Sequence, residues 1–176
     1  MSHSDNKVRW CLNKAKKEID ESQKLGKRVQ HRGLVEIPKN KIEAIKHINK
    51  AEHNLNAITD FKKIGYSDWS ITAAFYSFYH CFLAIGLSLG YESRNQQCTV
   101  ALIEYLNEEK KINIDIKFIR FLKDEGVEER HENSVIEMRE EYTYGVQVSI
   151  GNEEKLNDVI KDCKELIDIT KEIVYR

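Results

Sequence analysis

The sequence predicts an all-α fold, an up-and-down bundle of about five long helices with an N-terminal helical extension. Three observations support this fold class. The 176 residues include one proline and eight glycines, too few turn residues for many short strands. Apolar residues recur at steps of three and four along most of the chain. Hydrophobic residues make up 41% and charged residues 32% of the chain, which is enough apolar material for one buried core.

The first region, 1–38, is predicted to be a helix followed by a basic connector. The helix covers about 7–25, where Val8, Leu12 and Ala15 begin an apolar stripe. The connector, 26–38, contains two glycines and the only proline of the sequence. Such a connector would let the first helix stand apart as an arm or lie on the remaining helices as a cap.

The second region, 39–176, is predicted to form the bundle itself. Gly65 and Gly90 follow two apolar-periodic segments and mark their ends, and Ser67 is a plausible N-cap. Residues 144–152 are predicted to be a loop. The periodic segments predict helices over 39–61, 68–89, 98–109, 114–124, 132–143 and 153–174.

The central predicted helix is long enough to cross a bilayer, because Trp69–Tyr91 is a run of 23 residues without a charged side chain. Hydroxyl groups and His80 interrupt the run, and its apolar residues surround the helix almost completely. This pattern favours the buried centre of a soluble bundle, so no membrane partner is expected. The first ten residues lack the apolar segment of a signal peptide. A cytoplasmic location is therefore expected, with all four cysteines reduced and packed in the core.

Charge is distributed unevenly although the net charge is -1. Residues 1–50 carry 13 Lys and Arg against 6 Asp and Glu, whereas 51–176 carry 15 against 23. Any contact with nucleic acid should be local, because phosphate contacts need clustered cations. The sequence offers one such cluster where the first helix meets the connector, formed by Lys24, Lys27, Arg28 and Arg32. The alternative interpretation of this cluster is a solvated connector.

Catalytic motifs are few. The spacing of the cysteines and histidines fits no zinc site, and there is no glycine-rich phosphate loop, so no metal and no cofactor are expected. His47 and His53 are six residues apart, which does not place them on one helix face, and both are expected to be solvated. His80 lies on the apolar central helix and is expected to be a hydrogen-bonded core histidine.

The most informative segment runs from Arg139 to Tyr144. Arg139 shares a stripe with Val135 and Tyr142, so its side chain should point partly inward. A half-buried arginine needs an anionic partner, which could be a neighbouring glutamate or a phosphate gripped by the guanidinium. Tyr144 comes one and a half turns later, near the helix end, where its hydroxyl could share a site with Arg139.

Several segments together resemble the HEPN domain. They are AEHNL at 51–55, WSITAAFYSFYH at 69–80, GYES at 90–93 and the Arg-x4-Tyr pair at 139 and 144. The stretches SRNQQCTVALIEYL and VRWCLNKAKKEI look like segments of uncharacterised prokaryotic HEPN proteins. The resemblance covers about residues 7–174.

The resemblance implies a helical bundle that forms a homodimer, and often a metal-independent ribonuclease of the toxin type. In that family an arginine is usually followed after four to six residues by a histidine. Here those positions hold Tyr144, Gly145 and Val146, so the segment resembles the Arg-x4-Tyr variant. By the resemblance, Arg139 would stabilise the charge on the phosphorus centre. A free tyrosine titrates near pH 10 and is a weak general base at neutral pH.

Three hypotheses follow from these observations. The first is a ribonuclease toxin acting as a dimer. The second is a non-catalytic nucleotide- or RNA-binding subunit that works with a minimal nucleotidyltransferase, which in related pairs modifies a tyrosine of this motif. The third is a purely structural helical dimer. In each case the interface is expected to use large apolar side chains of the central helix and its neighbours, namely Phe75, Phe78, Phe82, Phe118 and Phe121.

Overall fold

The structure, a computed structural model, describes residues 2–123, 135–151 and 153–176. Within these ranges it has seven helices and two short strands, which confirms the all-α prediction. In chain order the elements are α1 (His3–Lys24), β1 (Leu34–Glu36), α2 (Lys41–Lys63), α3 (Ser67–Ser88), β2 (Tyr91–Ser93), α4 (Gln96–Glu108), α5 (Ile116–Leu122), α6 (Val135–Tyr144) and α7 (Glu153–Tyr175).

Helix α3 is the centre of the fold, and α2, α4, α5, α6 and α7 all pack against it. By length and composition α3 could cross a membrane, but 72% of its most apolar 18-residue stretch is buried inside the fold. It therefore has the placement of a core helix, as its sequence predicts. Its phenylalanines at 75, 78 and 82 are all buried within the one chain.

The predicted dimer interface is therefore wrong in its residues. Phe75, Phe78, Phe82 and Phe118 are almost inaccessible in a single chain, and Phe121 is half-buried against Phe78. The amino-acid composition overestimates the apolar surface that stays exposed on a single chain, because the helices around α3 cover these rings. A homodimer remains a prediction, but it needs another surface.

Two serines bring α2 and α3 into close antiparallel contact. The Ser70 hydroxyl donates to the Ile58 carbonyl at 2.9 Å, and the Ser77 hydroxyl donates to the Ala51 carbonyl at 3.0 Å. Both serines are fully buried, so these hydrogen bonds offset the cost of burying the hydroxyl groups. They also fix the register of the two helices.

The ends of the helices follow mostly local signals. Asn40, Asn95 and Asp115 each cap the helix that follows them by accepting a backbone N–H. Ser67 is not a cap as predicted: it is the first residue of α3, and its hydroxyl accepts the N–H of Ile150 at 2.9 Å. Gly90 follows the end of α3, as predicted, and its φ of 92° lies in the left-handed region that favours glycine.

Strands β1 and β2 were not predicted. They pair antiparallel, with Leu34 opposite Ser93 and Glu36 opposite Tyr91. Three residues are too few to show an alternating pattern, and the pairing joins segments far apart in sequence. β1 lies in the predicted connector, and the connector packs tightly on α1. A Cβ at Gly33 would lie 2.5 Å from the Cys11 carbonyl oxygen.

Helix α1 lies on the bundle as a cap, one of the two placements that the sequence left open. It packs against α4, burying Val8, Cys11 and Ala15. Cys11 forms a disulfide with Cys98 of α4, across a Cα–Cα distance of 5.8 Å. The prediction of four reduced cysteines is therefore wrong for this pair, because packing brings together residues 87 positions apart. Cys81 and Cys163 are free and buried, as predicted.

The disulfide should contribute about 2–4 kcal/mol to the free energy of unfolding, since it closes a long loop in the unfolded chain. Urea unfolding with and without dithiothreitol measures this contribution, and the control is a Cys11→Ala, Cys98→Ala variant on which the reductant has no effect. Protein alkylated during cell lysis and then denatured should expose two thiols. Four thiols, or a midpoint that dithiothreitol does not change, would contradict the pairing.

Candidate functional site

Helix α3 keeps one face that the other described helices leave exposed or half-buried. Its exposed and half-buried positions after Asp68 and before Ser88 fall within an arc of about 100° on the helix. We call this surface the open face; its residues are Trp69, Thr72, Tyr76, Tyr79, His80 and Leu83. Helix α2 borders it on one side, at His47, and α6 borders it on the other, where Thr143 contacts Thr72 at 3.3 Å.

Arg139 lies at the α6 border and is half-buried, as its stripe predicts. Its guanidinium carbon lies 4.2 Å from the centre of the Phe75 ring, which is the distance of a cation–π contact. Within the described ranges it forms no ion pair with a carboxylate. The glutamate partner that the sequence left open is thus not found there, and the cation is available to an external anion.

Among the described residues no hydrogen bond, ring contact or cavity joins Tyr144 to Arg139. Tyr144 is the last residue of α6, and its side chain is 81% exposed. Five residues along a helix correspond to a rotation of about 140°, so the two side chains leave α6 in different directions. The tyrosine nearer to α3 is Tyr142, which is half-buried and whose pKa is raised by that burial and by Glu141.

Tyr142 lines a small cavity of about 240 Å³ at the start of α3. Trp69 and Thr72 of the open face also line it, together with Asp68 and residues 143–148 apart from Tyr144. The sequence marks Tyr142 only as a member of an apolar stripe. Its role in this cavity depends on how α6 is rotated against α3, which the spacing of the motif does not reveal.

A pair of histidines borders the open face on its other side. The Nδ1 atoms of His47 and His80 lie 2.7 Å apart, and the ring centres are 5.0 Å apart. Burial lowers the pKa of His80 to about 4, with added repulsion from His47 and Lys50. Burial also lowers the pKa of His47, although Glu43 opposes the shift. Burial therefore favours the neutral form of both rings.

The histidine predictions are corrected in part. His80 is hydrogen-bonded as predicted, but it is half-buried at the border of the open face instead of lying in the core. His47 was predicted to be solvated, which is wrong, whereas His53 is exposed as predicted. The contact between His47 and His80 could have been predicted from the sequence only with the antiparallel register of α2 and α3 known. With Ala51 opposite Ser77, His47 falls opposite His80 one turn further along.

Aromatic rings connect the two borders. The Phe75 ring, which contacts Arg139, stacks on the Tyr79 ring with ring centres 6.1 Å apart. The centre of the Tyr79 ring lies 6.4 Å from the centre of the His80 ring. The Tyr76 ring, which meets Phe75 edge-on at 5.2 Å, projects from the open face between Arg139 and His80 and is 46% exposed. The structure therefore places a cation, an exposed ring and two neutral imidazoles along one surface.

The four cations of the predicted basic cluster lie on α1 and in the connector, on elements other than the one that carries Arg139. Lys24 ends α1, and Arg28 is exposed in the connector. Lys27 and Arg32 line a cavity of about 490 Å³. Glu18 and Glu21 line the same cavity, so carboxylates accompany these cations. Phosphate binding by the connector remains a prediction, and the structure does not bring its four cations to Arg139.

No cluster of three or more His, Cys, Asp or Glu side chains that could hold a metal occurs in the part of the chain that the structure describes. The histidine pair contributes only two nitrogen atoms, and these face one another. The described residues therefore offer acid–base groups and cations, not a metal centre.

The histidine pair should make the fold less stable in acid. Because the pKa of each ring is lower in the folded chain than in the unfolded chain, the unfolded chain binds more protons below about pH 6.5. The free energy of unfolding should fall from about pH 6.5 toward pH 4. Urea unfolding at several pH values should show a smaller fall for His80→Asn than for wild type. The control is His53→Asn, and identical pH dependence in all three proteins would contradict the assignment.

Comparison with known proteins agrees with this architecture. No curated protein matches the chain. The family model of the HEPN domain matches residues 44–173, a range that begins in α2 and ends in α7. It includes the open face, the histidine pair and Arg139, and it covers well over half of the 176 residues. The chain therefore belongs to the HEPN domain family.

Proposed function

We propose that the protein is a metal-independent endoribonuclease of the toxin type that acts on RNA as a homodimer. The observation that carries this proposal is the state of Arg139. Its cation is supported by the Phe75 ring and is not neutralised by a described carboxylate. A guanidinium held in this way can bind a phosphate through two parallel hydrogen bonds.

The open face also supports an RNA substrate. Trp69 and Tyr76 are large aromatic side chains with 52% and 46% of their surfaces exposed. Exposed aromatic rings stack on unpaired bases, and a nearby cation adds a phosphate contact. The connector cations Lys24, Lys27, Arg28 and Arg32 would add further phosphate contacts outside this face. Single-stranded RNA is therefore the proposed substrate class.

In the proposed reaction the ribose 2′-oxygen attacks the adjacent phosphorus, and Arg139 stabilises the negative charge that develops there. Tyr144 leaves α6 in a different direction from Arg139. A role for Tyr144 at the same phosphate therefore requires a second copy of the chain that brings its Tyr144 to the first copy's Arg139. This requirement links the catalytic proposal to the homodimer.

Arg139→Ala should reduce RNA cleavage by about 10²–10³-fold, which is the usual effect of removing one donor to a developing oxyanion. Cleavage is measured with purified protein, single-stranded RNA and EDTA. Arg120→Ala is the matched control, because Arg120 is an exposed arginine on α5. The proposal fails if wild type does not cleave or if Arg139→Ala cleaves as fast as wild type. A wild type that does not cleave would leave the non-catalytic partner and the structural dimer as the alternatives, whereas an Arg139→Ala variant that cleaves at the wild-type rate would remove Arg139 from the site.

A second function is favoured by the exposure of Tyr144. Its 81% exposed side chain at a helix end is accessible to another enzyme, as a modified residue must be. The protein would then be the non-catalytic nucleotide- or RNA-binding partner of a minimal nucleotidyltransferase, which would transfer a nucleotidyl group to the Tyr144 hydroxyl.

Incubation with such a transferase and ATP should then add the mass of a nucleotidyl group to wild type but not to Tyr144→Phe. The control is Tyr142→Phe, since Tyr142 is half-buried and should not be the acceptor. Intact-protein mass spectrometry reads the outcome. Equal modification of wild type and Tyr144→Phe would exclude Tyr144 as the acceptor.

A further inference from the structure

We propose that His47 and His80 form the proton-transfer pair of the RNA-cleaving site and supply the acid–base chemistry for which the Arg-x4-Tyr segment has no histidine. This inference rests on the proposed ribonuclease function. It assigns a role to two residues that the motif spacing does not include, since they come from α2 and α3 whereas Arg139 comes from α6.

The geometry of the pair leaves the right atoms available. The two Nδ1 atoms lie 2.7 Å apart, so one of them donates a hydrogen to the other. When both rings are neutral, the ring that donates from Nδ1 has a bare Nε2, and the other ring carries its hydrogen on Nε2. The pair thus offers one proton acceptor and one proton donor. No hydrogen bond to either Nε2 atom is formed within the described ranges.

The surroundings favour the neutral state that this chemistry needs. Among the described residues, Lys50 and Glu43 of α2 act on the charge of the pair, and Tyr79 and Tyr76 of α3 are titratable groups on the same side of α3 as His80. Burial and Lys50 disfavour a positive charge on His80, and burial outweighs the opposing effect of Glu43 on His47. A neutral imidazole can accept a proton at pH 7, whereas an imidazolium cannot.

The location fits a nucleotide that lies across Tyr76. Arg139 and His80 border the open face on opposite sides, and the exposed Tyr76 ring projects between them. A base stacked on Tyr76 would place its ribose and the adjacent phosphate over the face between the two borders. Lys50, one turn of α2 beyond His47, adds a cation on the histidine side.

The proposed step conserves every proton. The bare Nε2 accepts the proton of the ribose 2′-hydroxyl as its oxygen forms a bond to phosphorus. The hydrogen between the two Nδ1 atoms moves to the other ring, which gives its own Nε2 hydrogen to the departing 5′-oxygen as that P–O bond breaks. The products are a 2′,3′-cyclic phosphate and a 5′-hydroxyl. The pair ends neutral, with the two tautomers exchanged.

A purely structural role is the competing explanation, because the hydrogen bond also joins α2 to α3. Asparagine separates the two roles: its amide can occupy the position of Nδ1 and keep a hydrogen bond, but it cannot exchange protons near neutral pH. Ser70 and Ser77 already join the same helices at two buried points, so the fold does not depend on the histidines alone.

The experiment measures single-turnover cleavage of single-stranded RNA in EDTA, from pH 4 to pH 9, for wild type, His80→Asn, His47→Asn and the exposed control His53→Asn. We expect each of the first two variants to lose about 10²–10⁴-fold in rate. Their RNA affinity and thermal midpoint should remain near the wild-type values, and His53→Asn should cleave normally. If His80→Asn does not fold, His47→Asn carries the same expectation. Wild-type cleavage should reach its plateau by pH 7.

Three outcomes would overturn the inference. If wild type and Arg139→Ala behave as the proposed function requires while both histidine variants cleave within twofold of wild type, only the role of the pair fails. A wild-type rate that still rises between pH 7 and pH 9 assigns the base to a group of higher pKa, such as a tyrosine. If wild type does not cleave RNA, the proposed function fails and the role of the pair fails with it.

Discussion

The close antiparallel contact between α2 and α3 is the constraint on which the rest of the structure depends. Two buried hydroxyl–carbonyl hydrogen bonds, from Ser70 to Ile58 and from Ser77 to Ala51, hold the helices in one register. A slip by one helical turn would leave two buried hydroxyl groups unpaired, which costs more than the hydrogen bonds contribute. The same register places His47 opposite His80. The position of the histidine pair at the border of the open face is thus a consequence of the buried hydrogen bonds that hold α2 against α3.

Whether a feature could be predicted depended on how far apart in the sequence its interacting residues lie. The long helices were predicted because periodicity and caps such as Asn40 act within a few residues. The β1–β2 pair, the Cys11–Cys98 disulfide and the His47–His80 contact were not, because each joins distant segments whose proximity depends on packing.

The candidate site was predictable to a smaller extent. The stripe that contains Val135 correctly indicated that Arg139 points inward, but among the described residues its partner is the ring of Phe75 and no glutamate. The pairing of Arg139 with Tyr144 relied on sequence spacing. In a helix, five residues place two side chains on different faces, and α6 is helical as far as Tyr144. The spacing therefore requires either a second chain or separate roles for the two residues.

The contact between Arg139 and Phe75 explains how a cation can be half-buried and still be available to a substrate. A carboxylate would stabilise the guanidinium more strongly, but it would compete with a phosphate for the same hydrogen-bond donors. An aromatic face contributes about 0.5–2 kcal/mol through its quadrupole and leaves all five N–H groups of the guanidinium unoccupied. Phe75 also belongs to the buried core, so the ring cannot move away from the cation without opening the fold. The core of α3 thus holds Arg139 in position, and no carboxylate in the described ranges occupies its charge.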